Sequence, residues 1–152
     1  MSDAIRYIGI AKKAGAIEAG ENNSGAAIRA GKAKVLLLAS DASDNARRRA
    51  EGFIYGRSTP LVKLPYTKES LAAIMGTGDC AMVAVTDIGL ASSFMNALAA
   101  EDETFADIAS EIAFKKEKAL RRKREASAHE RNIRRGKKQK SVEASGKRRN
   151  KK

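Results

Sequence analysis

Two short aliphatic runs place the strongest limit on how this chain can fold. Residues 34–39 read KVLLLA and residues 81–86 read AMVAVT, and both runs lie between Gly, Ser and Asp residues. Runs of this length are too short for ordinary helices, and their unbroken apolar character predicts strands that are buried on both faces. Residues 16–19 and 61–64 are two further strand candidates.

Segments with helical character lie before, between and after these strands. They combine capping residues, helix-forming residues and apolar residues at helical spacing. The resulting order, α-β-α-β-α-β-α-β-α, is typical of an α/β fold in which helices cover both faces of one sheet. We assign residues 1–101 to this domain, which supplies the core.

The positive charge of the chain is concentrated near its C-terminus. Residues 115–152 contain eighteen Lys and Arg and four Asp and Glu, a net charge of +14. Residues 1–114 carry twelve basic and fourteen acidic residues, a net charge of −2. Blocks of this density usually bind nucleic acid, with a strong salt dependence because neutralised phosphates release counterions. A solvated surface and an anionic membrane surface are the weaker alternatives.

Residues 102–135 predict a helical extension whose character changes along its length. One helical face carries five apolar residues, Phe105, Ile108, Ala109, Ile112 and Ala113. This face indicates that the first part packs on another surface, and the fading of the stripe predicts a basic, projecting helix after it. Residues 136–152 are rich in Lys, Arg, Ser and Gly, which predicts disorder without a partner.

The chain has too few cysteine and histidine residues to form several classes of site. Cys80 is the only cysteine and His129 the only histidine. A disulfide framework, a zinc site and the usual nucleophile-and-base pairs are therefore excluded, and Cys80 is expected to be a structural thiol. No run approaches the roughly 20 apolar residues of a membrane helix, and the first residues do not resemble a signal peptide. We predict a cytoplasmic protein without metal, cofactor or enzymatic activity.

Two further groups of residues, three arginines and the tyrosines, do not predict a dedicated binding site. Arg47, Arg48 and Arg49 are consecutive in a predicted helix and spread around its circumference, so a solvated surface is the favoured interpretation. The tyrosines are dispersed along the chain, and aromatic residues make up 5% of it. They predict no stacking platform of the kind that binds single strands.

The segment 20–25 (GENNSG) is the part of the chain best suited to contact a ligand. It follows a strand and precedes a helix, whose first amides lack internal partners and attract anions. Gly20 and Gly25 allow close backbone approach, and Asn22 and Asn23 offer donors and acceptors that suit base edges. The Walker A lysine and the GxGxxG spacing are absent. The alternative is a simple capping turn with Asn22 or Asn23 as the helix cap.

Four motifs follow one another in a recognisable order: residues 8–15 (IGIAKKAG), 20–23 (GENN), 31–43 (GKAKVLLLASDAS) and 83–89 (VAVTDIG). Together they resemble the L-seven-Ae/L-thirty-e superfamily of large-subunit ribosomal proteins, and most of all its small bacterial members. The resemblance covers about residues 3–100, and the strand run ending in Ala-x-Asp-Ala-Ser is its most specific part. It implies a three-layer α/β/α sandwich with a small mixed sheet that binds kink-turn RNA or a similar bent internal loop.

The resemblance also implies where RNA would lie. In the family, a Gly-x-Asn-Glu-x-x-Lys turn enters the widened groove beside sheared G·A pairs, and a loop after the last strand packs on a flipped-out nucleotide. The residues expected at the RNA are Gly20, Glu21, Asn22, Asn23 and Gly25 in the turn, Thr86, Asp87, Ile88 and Gly89 in the loop, and the nearby cations Arg29, Lys32 and Lys34.

The chain departs from this family pattern at two positions. Asn23 stands where the family has an acidic residue, and Ala26 stands where it has a lysine. Removing a charge-assisted hydrogen bond costs about 1.5–3 kcal/mol, or about one to two decades of affinity. Arg29, Lys32 and Lys34 are candidates to supply the missing charge.

The favoured hypothesis is a ribosomal or ribosome-associated protein that recognises a kink-turn-like bent RNA. Its expected partner is structured RNA, ribosomal RNA foremost, and the large subunit is a candidate assembly. The alternative is a non-catalytic RNA-binding module that acts with an RNA-modifying enzyme on another chain. A nucleotide-binding enzyme is weaker because the phosphate motifs are missing. A nucleoid protein that binds DNA through the basic block is a further alternative.

Overall fold

The protein, in a computed structural model, is described for residues 3–149, with side chains as far as Lys137. The helices are α1 (Asp3–Lys13), α2 (Glu21–Arg29), α3 (Asp44–Ile54), α4 (Lys68–Met75), α5 (Ile88–Glu101) and α6 (Ala106–Arg149), with a short 3-10 helix at Glu103–Phe105. The strands are β1 (Ile17–Ala19), β2 (Val35–Leu38), β3 (Leu61–Lys63) and β4 (Met82–Val85). Each strand lies within a run that the sequence predicts to be a strand, and the predicted α/β fold is confirmed.

The four strands form one mixed sheet in the order β1-β4-β2-β3. Strand β4 runs antiparallel to both of its neighbours, whereas β2 and β3 are parallel. One end of the sheet therefore carries the last residues of β1, β2 and β3 together with Met82, which begins β4. The other end carries their first residues together with Val85, which ends β4. We call these the Met82 end and the Val85 end.

Alternate side chains of the two central strands face two separate cores. Val35, Leu37, Val83 and Val85 pack with α1, α4 and α5 on one face. Leu36, Leu38, Met82 and Ala84 pack with α2 and α3 on the other. All eight are at most 4% exposed, and full burial of a large aliphatic side chain contributes about 1.5–3 kcal/mol. The result is the predicted sandwich, with helices on both faces of a central sheet.

The start of α6 completes the first of these cores. Ala109 and Ile112 are buried in it, and Phe105 and Ile108 pack against it. The prediction that this apolar face packs on another surface is thus confirmed. Because these residues belong to the core, the first compact unit reaches Lys116 rather than ending at the predicted boundary, residue 101.

The second compact unit is the remainder of α6, from Glu117 onward. From there to Lys137 nearly every side chain is exposed. The backbone is helical as far as Arg149, which differs from the disorder predicted from residue 136, and the many Lys, Arg, Glu and Ala residues favour a helix. The last three residues of that predicted tail, 150–152, lie outside the described residues. No helix within the described range is both long enough and apolar enough to span a membrane.

Candidate functional site

The residues predicted to contact RNA fall into two groups at opposite ends of the sheet. Strand β1 ends at Ala19, which pairs with Val83, so segment 20–25 begins at the Met82 end. Strand β4 ends at Val85, so residues 86–89 begin at the other end. Because strand residues rise by about 3.3 Å each, a four-residue strand alone separates the two ends by about 10 Å. The two groups therefore lie at different ends of the domain, and a joint contact of both with one RNA stays a prediction.

Helix α2 begins directly after Gly20. This glycine has φ 90° and ψ 164°, a conformation that other residues rarely adopt, and its amide donates to the carbonyl of Met82 (2.9 Å). Segment 20–25 is therefore not a turn of six residues, because all but its first residue are helical. Gly20 occupies the cap position, so neither Asn22 nor Asn23 is the helix cap.

The start of α2 exposes backbone amides that other helices cover. The amide of Ser24 donates to the carbonyl of Gly20 (2.9 Å). The amides of Glu21, Asn22 and Asn23 have no partner among the described residues. At the starts of α3, α4 and α5, by contrast, a side chain accepts a helix amide: Ser43, Thr67 and Asp87. Only α2 of these four helices can offer all of its first amides to an external acceptor.

The side chains around the start of α2 can recognise the edges of bases. Asn22 and Asn23 are both exposed, and the side-chain amide of Asn23 donates to the carbonyl of Ala19 (3.1 Å). This bond orients Asn23 and leaves its side-chain oxygen available as an acceptor. Asn22 retains both its donor and its acceptor, which suits a base better than a bare phosphate.

Glu21 is paired with a neighbouring helix. Its carboxylate lies 2.9 Å from the guanidinium of Arg49 on α3, which lies 6.0 Å from the ring centre of Phe53. An exposed pair of this kind contributes only about 0–1 kcal/mol to stability. The carboxylate nevertheless lies in the first turn of α2, where the helix dipole favours negative charge. A phosphate approaching the same amides would therefore have to compete with it.

Gly25 is not available to a ligand. It is buried, and a Cβ at this position would lie 2.8 Å from the ring of Phe53. The preceding Ser24 is also buried, and its hydroxyl donates to the carbonyl of Glu18 (3.3 Å). Gly25 therefore permits close packing between α2 and α3, and the prediction that it faces RNA is wrong.

Residues 86–89 have structural roles at the Val85 end. The amide of Thr86 extends the pairing between β1 and β4. The carboxylate of Asp87 accepts the amide of Leu90 (2.8 Å) and caps α5. Ile88 and Gly89 form the first turn of that helix, and Ile88 is half-buried against the core. The residue predicted to meet a flipped-out nucleotide is thus partly used in packing.

The three predicted cations are not equivalent. Lys32 and Lys34 lie at the Val85 end, where the amide of Lys34 donates to the carbonyl of Val85 (2.7 Å). They are too far along the domain to replace the family lysine at the start of α2. Arg29 lies in the last turn of α2, but its guanidinium reaches to 3.2 Å from the position of a Cβ on Gly25. Among the three, only Arg29 approaches the first turns of the helix.

Sequence analysis missed an acidic depression at the Met82 end. Its charged residues are Asp41, Lys68, Glu69 and Asp79, and the carboxylate of Asp41 accepts the backbone amide of Lys68 (2.7 Å). Three carboxylates and one ammonium disfavour phosphate there. The antiparallel direction of β4 brings Asp79 to this end, and hydrophobic periodicity alone does not indicate the direction of a strand.

Cys80 has the properties of a structural thiol, as predicted. It is buried, and its Sγ lies 3.6 Å from the carbonyl of Met82. Burial raises the pKa of this thiol, and the nearby charge of Asp79 raises it further. The thiolate is therefore disfavoured at neutral pH. Among residues 3–137, whose side chains the structure describes, no three His, Cys, Asp or Glu come together in an arrangement suited to a metal ion.

Comparisons with known proteins identify the fold. No protein-family model matches the chain, and no curated protein matches it. A protein of unknown function from Bacillus halodurans has a similar structure, with a TM-score of 0.58 and 18% identity, over 64% of this chain and 97% of that one. The Giardia lamblia 15.5kD RNA binding protein has a TM-score of 0.47 and 15% identity, over 72% of this chain and 80% of that one. At 18% identity the likeness to the Bacillus halodurans protein is one of fold alone.

Proposed function

We propose that this chain is a non-catalytic RNA-binding protein that acts in the cytoplasm, with ribosomal RNA as its partner. The observation that carries the proposal is the charge of α6 and the residues after it, eighteen Lys and Arg against four Asp and Glu over residues 115–152. From Glu117 to Lys137 nearly all side chains are exposed. Exposed cations at this density can neutralise phosphates and release counterions.

The start of α2 would add selectivity to this general affinity. Three unpaired amides and the exposed side chains of Asn22 and Asn23 provide hydrogen-bonding groups on a rigid helix. Acidic residues lie at the same end of the sheet, so this site suits base edges and ribose groups more than bulk phosphate. The basic block would position the RNA, and the start of α2 would distinguish one RNA from another.

We further propose that the preferred RNA is bent, as in a kink-turn, and that the protein associates with the large ribosomal subunit. The support is the order of the motifs and their resemblance to the L-seven-Ae/L-thirty-e superfamily. Ala26, at the family's lysine position, is exposed on α2. A lysine there would have room to reach an RNA bound at the start of the helix.

Gel-shift titrations test this proposal with a kink-turn RNA and a straight duplex of equal length. We expect tighter binding to the kink-turn RNA at matched salt. Ala26→Lys should widen the preference by about tenfold to a hundredfold, because it restores one charge-assisted hydrogen bond worth about 1.5–3 kcal/mol.

The matched control is Ala100→Lys, which adds the same charge at an exposed position on α5. It should tighten binding to both RNAs slightly and equally. Equal affinity of the natural chain for both RNAs would defeat the kink-turn proposal. Isolation of an RNA-modifying enzyme, rather than ribosomal subunits, with the tagged protein would favour the alternative module.

A further inference from the structure

A tight turn at the Val85 end presents an exposed aromatic ring. The amide of Arg57 donates to the carbonyl of Ile54 (2.9 Å), and between them Tyr55 has φ −56° and ψ 126° and Gly56 has φ 72°. These values describe a type II β-turn, which requires glycine or asparagine at its third position. Tyr55 lies at the tip of this turn and is 88% exposed, so its ring contributes almost nothing to the core.

Hydrogen bonds with two other elements, α2 and α6, hold this turn in place. The guanidinium of Arg57 donates to the carbonyl of Ile28 near the end of α2 (2.9 Å). The ammonium of Lys115 on α6 donates to the carbonyl of Ser58 (2.6 Å). Tyr55 is therefore presented on an anchored turn, and a ligand that binds its ring has little chain entropy to overcome.

The charges around the turn are mainly positive. Residues 27–36 and 54–61 meet at this end, where the amide of Leu36 donates to the carbonyl of Pro60 (3.0 Å). Together these two segments contain four Lys and Arg and no Asp or Glu, whereas Glu51 lies one helical turn before Tyr55 on α3. Two carboxylates from other elements already have structural partners, since Glu111 pairs with Lys115 (3.3 Å) and Asp87 caps α5. This end thus contrasts with the acidic depression at the Met82 end.

We infer that this end of the domain binds a single-stranded RNA segment, with one base stacked on Tyr55 and the phosphates facing the surrounding cations. We call it the Tyr55 surface, and define it as Tyr55, Arg57, Lys32 and Lys34, with Lys115, which pairs with Glu111, beside it. The inference rests on the proposed RNA-binding function and adds a second binding region to it, at the opposite end of the sheet from the start of α2.

The combination of ring and cations favours this partner over others. An exposed aromatic side chain stacks on any base, and adjacent cations follow the backbone, which is how single strands are bound without sequence readout. In a duplex, stacking covers the faces of the bases. A duplex could therefore contact the cations, but its bases could not stack on the ring. The basic block also begins at Lys115, so an RNA held on this surface lies where the block starts.

Fluorescence anisotropy of the full-length protein with a labelled twelve-nucleotide uridine RNA tests the inference. Tyr55→Ala should weaken binding at least about fivefold, the lower limit for removal of one base–aromatic stack. Tyr55→Phe keeps the ring and should bind within about twofold of the natural chain. The double variant Lys32→Gln with Lys34→Gln should make the dependence of log affinity on log salt shallower, by about 0.7 for each phosphate that is no longer neutralised.

Ile10→Ala is the matched control, because Ile10 is another exposed apolar residue and lies on α1, outside the regions proposed to bind RNA. It should leave binding unchanged. Natural affinity in Tyr55→Ala would overturn the inference, and so would an equal loss of affinity for a duplex of the same charge. A natural chain that binds no RNA would instead defeat the proposed function itself.

Crosslinking provides an independent test that locates the RNA on one tryptic peptide. A twelve-nucleotide RNA that contains 4-thiouridine should crosslink to the tryptic peptide of residues 50–57, which includes Tyr55. The crosslink should disappear in Tyr55→Ala while crosslinks to α6 persist. Crosslinks confined to α6 in the natural chain would contradict the inference.

Discussion

At the scale of single residues, the packing of Phe53 against Gly25 decides how closely α2 and α3 can approach. Gly25→Ala would place a Cβ 2.8 Å from the ring of Phe53, and the resulting overpacking should lower the free energy of unfolding by about 1–3 kcal/mol. Urea denaturation measures the change. Gly9→Ala is the control, because no atom lies within 4 Å of its new methyl group, and it should stabilise α1 by about 0.5–1 kcal/mol. Equal effects at both positions would contradict the packing argument.

Also at this scale, the raised pKa of Cys80 makes the stability of the protein depend on alkaline pH. The folded state keeps its thiol proton at a pH where the unfolded state, with an ordinary pKa of about 8.5, has lost it. The free energy of unfolding should therefore fall as the pH rises above that value. Cys80→Ala removes the titrating group, so denaturation curves between about pH 7 and pH 10 should show a shallower decline. Parallel declines in the two proteins would contradict the assignment.

At the scale of elements, substitutions of Asp87 test whether residues 86–89 cap a helix or bind RNA. Asp87→Ala removes the acceptor for the amide of Leu90 and should lower the free energy of unfolding by about 1 kcal/mol. Asp87→Ser supplies another capping oxygen and should restore most of that stability. Neither variant should change RNA affinity if the residue is only a cap. A tenfold loss of affinity in a stably folded variant would assign Asp87 to the interface instead.

The elements themselves could be predicted from the sequence, whereas their directions could not. The aliphatic runs predicted β2 and β4 because an uninterrupted apolar run of that length has few other structures, and Gly31 and Gly56 predicted helix ends. The antiparallel course of β4 has no local signal, since it depends on which strands become neighbours in the sheet. That direction is the reason why residues 86–89 lie far from Gly20.

For a similar reason, the sequence predicted only those parts of the candidate site that depend on local properties. A helix start with available amides in this part of the chain was a local prediction, although the sequence placed a turn over residues 20–25 before the helix. The burial of Gly25 depends on Phe53, which lies on a different helix, and sequence spacing does not reveal that packing. Tyr55 was overlooked because its importance depends on a turn anchored by residues from α2 and α6.

At the scale of the whole molecule, the two compact units should contribute differently to RNA binding. A chain truncated after Lys116 retains Ile112 in the core and the Lys115 hydrogen bond to Ser58. We expect a much shallower salt dependence of binding, because sixteen of the eighteen Lys and Arg in the basic block are removed. The ratio of affinities for kink-turn and straight RNA should remain. Disappearance of that ratio on truncation would place the selectivity in the basic block.

The strand order also has a consequence for solubility. The outermost strands of the sheet, β1 and β3, have three residues each, and each bears an exposed charged side chain, Glu18 or Lys63. Short, charged edge strands of this kind disfavour the addition of strands from further copies, which leads to aggregates. If the basic block binds RNA as proposed, many copies on one RNA would bring their domains into close proximity. The short, charged edge strands would then disfavour fibril growth among these domains.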